Sequence, residues 1–369
     1  MSCIESPALW LHTLKAIAKA AGDSEVDATC NDNHARIAAA LSSAEHGLIA
    51  LGAQALNHPQ AAALRYWVAR IAELTSCVAG SIPSASNSIG ASLAGMLPHL
   101  GAGGASCIAG LNVQQMFDQP RKAYLLHGIE AQLDCAHPNA TSALAAAELV
   151  VSLSAFHSAE LRANSNALLP IALFAESDGT YVNAEGRWQS AGAAVVAPEQ
   201  ARPAWKILRV LANQLDVAGF DYMRIDSVTQ ELRAVVADTA VAGIAKRDAP
   251  MTGASVTEAQ GDGALWRCAE TPIYSVDALV RRSKPLQRTP LAAAAKASIN
   301  SSEAARQGLS SSAVVRVFQG DASVELELEF DDSVADGCIC VPAALAQTAP
   351  LGGSSGAVSV EAVAAAMEA

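Results

Sequence analysis

The chain has 369 residues, 51% hydrophobic and only 16% charged, which excludes an intrinsically disordered protein and leaves room for two or three domains. With 24 basic against 36 acidic residues the net charge is −12, so a phosphate backbone would be repelled; Arg281-Arg282-Ser283-Lys284 is too short to act as a basic patch. Nothing approaches the run of about 18 apolar residues that spans a bilayer, since the best candidate, residues 143–161, carries Glu148, His157 and Glu160.

The stretch from Pro7 to Ala21 predicts a helix with Leu9, Leu11, Leu14, Ile17 and Ala18 on its apolar side, stopped at Gly22. The segment before it, from Met1 to Pro7, has no basic and apolar leader pattern, which fits a cytoplasmic chain. Asn31 or Asp32 is placed to cap a second helix through Leu41. Gly47 to Gly52 is a short apolar run of the length of a buried parallel strand, Pro59 opens a helix through Leu74, and Cys77 to Gly80 is the next short run. Strand, helix, strand in this order is a βαβ unit. Ala123–His127, Ser142–Glu148 and Leu149–Leu153 repeat the alternation, so the expected fold class is α/β with a Rossmann-like parallel sheet. Gly101-Ala-Gly-Gly104 lacks the spacing of a dinucleotide fingerprint and reads as a loop. Ser86–His99 is dominated by small residues and reads as a helix packed closely on the sheet.

Asn166 to Gln189 is the most informative stretch. Ser177-Asp178-Gly179 and Ala184-Glu185-Gly186 are turn signatures flanking strand-forming Thr180–Asn183, and Arg187–Gln189 supplies the return strand of a hairpin. Pro203 then starts a helix with Ala204, Leu208, Leu211 and Leu215 in one stripe. From residue 239 to 296 the pattern weakens into an irregular connector. Beyond it, Ser301 or Ser302 caps a short helix ending at Gly308. Val314–Phe318 and Ser323–Phe330 read as strands, the second with Val324, Leu326, Leu328 and Phe330 inward and Glu325, Glu327 and Glu329 outward. Cys338–Val341 is a third strand, and the Gly/Ser-rich tail after Ala349 ends in a short Ala-rich helix.

Nucleophilic and metal chemistry have little to stand on. No Gly-x-Ser-x-Gly elbow occurs, and the eight histidines show no metal-ligand spacing; His127 and His157 sit near strand ends, where capping or solvent-facing roles suffice. The eight cysteines include no Cys-x-x-Cys pair, and Cys338 and Cys340 share one face of a strand; buried reduced thiols account for them. Glu176, Glu185 and Arg187 form the best polar constellation, either as a remnant of a cofactor-contacting site or as a turn-stabilising ion pair, and the second reading is favoured.

Several strings in order resemble the molybdopterin oxidoreductases, and among them the large iron–sulfur subunit of respiratory complex I, NADH-quinone oxidoreductase. They are the stretch Asn166–Gln189; Asn87, Gly90-Ala91 and Ala94-Gly95; Pro120–Leu126 with Glu130 and Leu133–Cys135; Glu199 with Arg202-Pro203 and Trp205; and Thr271–Asp277. The resemblance runs from about residue 40 to 345. It implies a molybdopterin-oxidoreductase-like α/β domain over 1–238, N-terminally incomplete, the connector over 239–296 and a small β-rich domain over 297–369. It further implies a chain that starts partway through the fold, as a truncated product, fragment or split gene. The full subunit by resemblance binds [2Fe-2S] and [4Fe-4S] clusters, whereas this chain has no recognisable cluster ligands, so no cofactor and no catalytic residue is expected on it. Other peripheral-arm subunits of complex I are the implied partners, with no nucleic acid and no direct membrane insertion, at a peripheral position on the cytoplasmic side of the inner membrane. Half of a molybdopterin-dependent oxidoreductase and a stand-alone Rossmann-like binding protein are the alternatives.

Overall fold

A computed structural model of the chain describes residues 4–135, 137–236, 264–292, 294–309, 313–353 and 355–363. They fall into two compact units, one built from the stretches on either side of the other: 4–82 with 264–363, and 83–236.

The first stretch opens with a 3-10 turn, Pro7–Leu9, running into the helix Trp10–Ala20, which stops at Gly22 with φ +105°. A second helix, Asp32–Ser42, is capped by Asn31: its Oδ1 accepts the His34 N–H, and the Asn31 N–H donates back to His34 Nδ1. The third long helix, Ala61–Thr75, buries Leu64, Val68, Ile71, Ala72 and Thr75, a stripe at helical spacing. Ile71 packs with Ile17, Ala18 and Ala38 of the other two helices. Two short strands, β1 (Leu48–Leu51) and β2 (Val78–Ser81), pair in parallel across this helix, the expected βαβ unit.

The 83–236 unit carries a three-stranded parallel sheet in sequence order, β3 (Ala123–His127), β4 (Leu149–Ser154) and β5 (Ala167–Pro170). Tyr124, Leu126 and Val150 bury one face against Phe117, Ala140 and Leu144. The tyrosine hydroxyl is satisfied, donating to the Met116 carbonyl and accepting the Arg121 N–H. The predicted hairpin is β6 (Gly179–Val182) with β7 (Trp188–Ala191), antiparallel with Val182 opposite Trp188. The helix after Pro203 spans Ala204–Gln214, but its buried residue is Ala212; Leu211 and Leu215, expected on the buried stripe, are exposed.

The second stretch of the discontinuous unit forms a closed six-stranded barrel in the order β10-β11-β9-β12-β8-β13. Its strands are β8 (Leu265–Cys268), β9 (Lys296–Ile299), β10 (Val314–Gln319), β11 (Ala322–Phe330), β12 (Cys338–Cys340) and β13 (Gly356–Ala362). β10 and β11 form a hairpin with Val315 opposite Leu326, and β9 and β8 join in parallel to β11 and β12. Leu265, Ile299, Val315, Val317, Ile339 and Val341, each at most 1% exposed, fill the interior. Burial of one such side chain contributes about 1.5–3 kcal/mol.

The β-rich C-terminal part is thus present but larger than the sequence indicated. β8 lies inside the stretch 239–296, expected to be a connector; residues 239–263 and 293 of that stretch lie outside the described residues. β13 occupies part of the tail after Ala349, for which the sequence predicts a Gly/Ser-rich stretch and then a short Ala-rich helix; residues 364–369 lie outside the described residues. The short helix Ser301–Arg306 is capped by Asn300, whose Oδ1 accepts the Glu303 N–H at 2.7 Å, and not by Ser301 or Ser302. Asn300 also donates through Nδ2 to the Val334 carbonyl and to Asp336, which fixes it as the cap. On β11 the alternation holds through Leu328, but Phe330, at the strand end, is 45% exposed.

Arg267 is inside the barrel and fully buried. Its guanidinium donates to the carbonyls of Val341 (3.2 Å), Gly352 (2.8 Å) and Pro342 (3.3 Å) and to Gln319 Oε1 (2.7 Å). Burial pushes its pKa down to about 10.

Candidate functional site

The polar constellation chosen from the sequence does not come together. Glu176 caps its own turn, its Oε2 accepting the Leu173 N–H at 2.9 Å. Glu185 and Arg187 approach to 3.4 Å with both side chains more than two-thirds exposed, a geometry that contributes no more than about 1 kcal/mol. The turn between β6 and β7 is organised by Asn183, whose Oδ1 accepts the N–H groups of Glu185 (3.1 Å) and Arg187 (2.9 Å). An asparagine two residues before Glu-Gly was the available signal. Asp178 acts similarly, accepting the Ala193 N–H at 2.8 Å.

The small-residue stretch packs against this same hairpin. Its helix is Ser88–Leu93, preceded by Asn87, whose Oδ1 accepts the Val182 N–H at 2.8 Å. Asn87 lies so close to Gly90 that a Cβ there would stand 2.1 Å from its Oδ1. Gly95, at φ +82°, faces the backbone of Gly101 and Ala102, and Gly103, at φ +65°, faces the Val235 carbonyl. These glycines admit neighbouring parts of their own unit at distances a side chain would not allow. Leu93, Leu100, Val182 and Val236 close the cluster beneath, and Arg233 lies over the Trp188 ring, 4.7 Å from its centroid. His127 and His157 are both exposed.

Two features of the discontinuous unit have more chemical content. A depression of about 570 Å³ is lined by Lys15, Asp23, Glu25, Tyr66, Arg70 and Glu73. Its centre is an ion pair, Arg70 Nε to Asp23 at 2.7 Å, which holds the Asp23 carboxyl below the usual carboxylate range. The other feature is a set of thiols on the outer face of β8 and β12. Because those strands are parallel and in register, Cys340 stands opposite Cys268 and Cys338 opposite Trp266. Cys338 and Cys340 share a face as predicted, and Cys268 joins them from the neighbouring strand. Cys338 is fully buried and the other two half-buried. The two thiols facing Cys268, with burial, push its pKa well up, while contact with Cys268 holds Cys338 and Cys340 below the ordinary thiol range despite burial. Next to them, His58 stacks on Trp266 at 5.2 Å and lies 6.0 Å from Trp10, and burial lowers its pKa.

The remaining cysteines correct one expectation. Cys135 is buried, with its thiol pushed up to about 11 chiefly by that burial, and Cys77 is half-buried, but Cys30 and Cys107 are exposed; Cys3 lies outside the described residues. Exposure follows from their positions in the loops before Asn31 and after Gly104 rather than in elements of a core. Among the described residues no group of three or more His, Cys, Asp or Glu side chains is arranged to hold a metal ion, and no helix is long and apolar enough to cross a membrane.

A Rossmann-like parallel α/β part joined with a small closed β-barrel defines the class of fold. The sequence profile of one family, Molybdopterin oxidoreductase, matches residues 12–214, more than half of the chain. The chain belongs to the molybdopterin oxidoreductase family. It is also similar to the mitochondrial NADH-ubiquinone oxidoreductase 78 kDa subunit of Candida albicans, 42% identical over 77 residues; that segment is 21% of this chain and 11% of the mitochondrial protein. Among solved structures it is similar to acetylene hydratase from Pelobacter acetylenicus, at 15% identity and a TM-score of 0.46, over 70% of this chain and 47% of that one.

Proposed function

We propose that the chain is a scaffold portion of the large iron–sulfur subunit of NADH-quinone oxidoreductase, respiratory complex I. The observation that carries this reading is the 42% identity over 77 residues to a complex I subunit. On this reading the chain sits in the peripheral arm, on the cytoplasmic side of the inner membrane, against other peripheral-arm subunits. Electrons pass from NADH to quinone, coupled to proton translocation, through [2Fe-2S] and [4Fe-4S] clusters held by other parts of the full subunit. The close packing of the hairpin and the small-residue stretch supports a fold-bearing role, since the polar residues there are spent on turns and caps.

The family match favours a second reading, in which the chain is half of a molybdopterin-dependent oxidoreductase. One purification separates the two. The tagged chain, captured from native membranes, is expected to bring down NADH-quinone oxidoreductase subunits and iron with no molybdenum. Stoichiometric molybdenum, or capture without those subunits, would overturn the scaffold reading.

A further inference from the structure

We propose that Cys268 and Cys340 form a reversible dithiol–disulfide site that takes low-molecular-weight disulfides, such as oxidised glutathione, as its oxidant. The inference is independent of the scaffold reading. It rests first on register: Cys340 and Cys268 are direct partners on adjacent parallel strands, so their side chains leave the sheet on the same face. Neighbouring strands lie about 4.8 Å apart, inside the roughly 4.4–6.8 Å that separates the Cα atoms of a disulfide. Cys338 and Cys340, two residues apart on one strand, are separated by about 6.6 Å, at the far edge of that window. The cross-strand pair is therefore favoured over the pair that is nearest in sequence.

Exposure selects the same two thiols. Cys338 is fully buried on β12, whereas Cys340 and Cys268 are half-buried. The electrostatics agree with an order of events, because Cys340 is held toward its thiolate by the Cys268 thiol facing it. The Cys340 thiolate attacks one sulfur of the oxidised reagent, forming a mixed disulfide and expelling one reagent thiolate. Cys268 then attacks the Cys340 sulfur, closing the protein disulfide and expelling the second reagent thiolate. The two protons lost by the cysteines end on the two released thiols; the protein pair is oxidised by two electrons and the reagent disulfide reduced by two. A closed bond would tie β8 to β12 at the seam where these two parallel strands meet the stacked rings of Trp266 and His58.

The test equilibrates the full folded chain in glutathione buffers of increasing oxidised fraction and traps free thiols with N-ethylmaleimide under denaturing conditions. Tryptic peptides are then mapped by mass spectrometry. Cleavage after Arg267, Arg281 and Arg316 places Cys268 and Cys340 on different peptides, so their bond gives a linked pair. The expected result is a linked 268–340 peptide that reverts on adding reduced glutathione, kept in Cys338→Ser and lost in Cys268→Ser and Cys340→Ser. The proposal is overturned if the native chain shows no such peptide at the most oxidising ratio, or if the bond formed joins Cys338 to either neighbour. Should a serine variant not fold, the native chain decides alone: Cys338 and Cys340 share the peptide 317–369, and its fragment ions show which of the two carries N-ethylmaleimide and which is bonded to Cys268.

Discussion

Removing Arg267 is the sharpest test of how the barrel is held. Keeping a guanidinium charged where its pKa has fallen to about 10 costs about 3 kcal/mol. The five acceptors it reaches, four of them backbone carbonyls with that of Leu351 the most distant at 3.5 Å, must outweigh that cost. In Arg267→Ala the desolvation cost disappears, but the carbonyls of Val341, Pro342 and Gly352 lose their partner at about 1–2 kcal/mol each. The buried stem adds about 0.8 kcal/mol per methylene. The net destabilisation is then about 2–5 kcal/mol, confined to the barrel-containing unit. Arg267→Met keeps the volume and loses only the carbonyl contribution, so it is expected to be milder by about 2 kcal/mol. Hydrogen exchange followed by mass spectrometry, reading the amides of β8, β10 and β12, measures this locally. An alanine variant with barrel protection within about 1 kcal/mol of the native chain would refute the reasoning, as would a methionine variant less stable than alanine.

Other consequences follow from single contacts. His58 is buried with its pKa lowered, so the unfolded chain binds the proton more tightly; stability is full above the ordinary histidine value of about 6.5 and falls as pH drops below it. Tryptophan emission from the Trp10–His58–Trp266 stack should titrate in that window in the native chain and lose the transition in His58→Phe. For Glu303, burial acts to raise the pKa, but bonds from Arg306, Gln307 and the Gly337 N–H outweigh it and hold the carboxyl below its usual range. Its contribution is present above the ordinary carboxylate pKa and lost as pH falls through the depressed one, and acid unfolding of Glu303→Gln should lack that component. Gly95→Ala places a Cβ 2.5 Å from the Ala102 nitrogen at a φ of +82°, and a loss of about 2–4 kcal/mol is expected by urea denaturation. An unchanged midpoint would mean that the loop shifts freely.

What could be read from the chain followed local periodicity. The strands at Ala123–His127 and Leu149–Ser154, the hairpin around Ala184-Glu185-Gly186 and the helix Ala61–Thr75 each carry their own pattern and their own punctuation. The strand Leu265–Cys268 was hidden because one of its two inward positions is an arginine, a residue that reads as a surface group until the carbonyls around it are known. Gly356–Ala362 was hidden because only Val358 and Val360 carry strand propensity, beside the Gly/Ser-rich residues 352–356, and pairing with β8 and β10 sets the strand. The same limit governs the thiol cluster. Two of its members share a strand and were legible at period two, while the third comes from 70 residues away through a register that only the folded sheet sets. Glu176 stands apart from Glu185 and Arg187 for the converse reason: it lies near them in sequence, but a capped turn directs it to its own backbone.

The unit holding the barrel is made of residues on both sides of a continuous intervening unit, with Trp10 and His58 from one side meeting Trp266 from the other. During translation, at about 5–20 residues per second, the first helices leave the ribosome on the order of ten seconds before Trp266 does. The intervening unit has all its own contacts within reach as soon as it emerges. The barrel must wait for Gly356–Ala362, the strand that seals β8 to β10. A nascent chain stalled or cut before that strand would display two open sheet edges, so exposure to aggregation and proteolysis is concentrated in the interval before Gly356–Ala362 emerges.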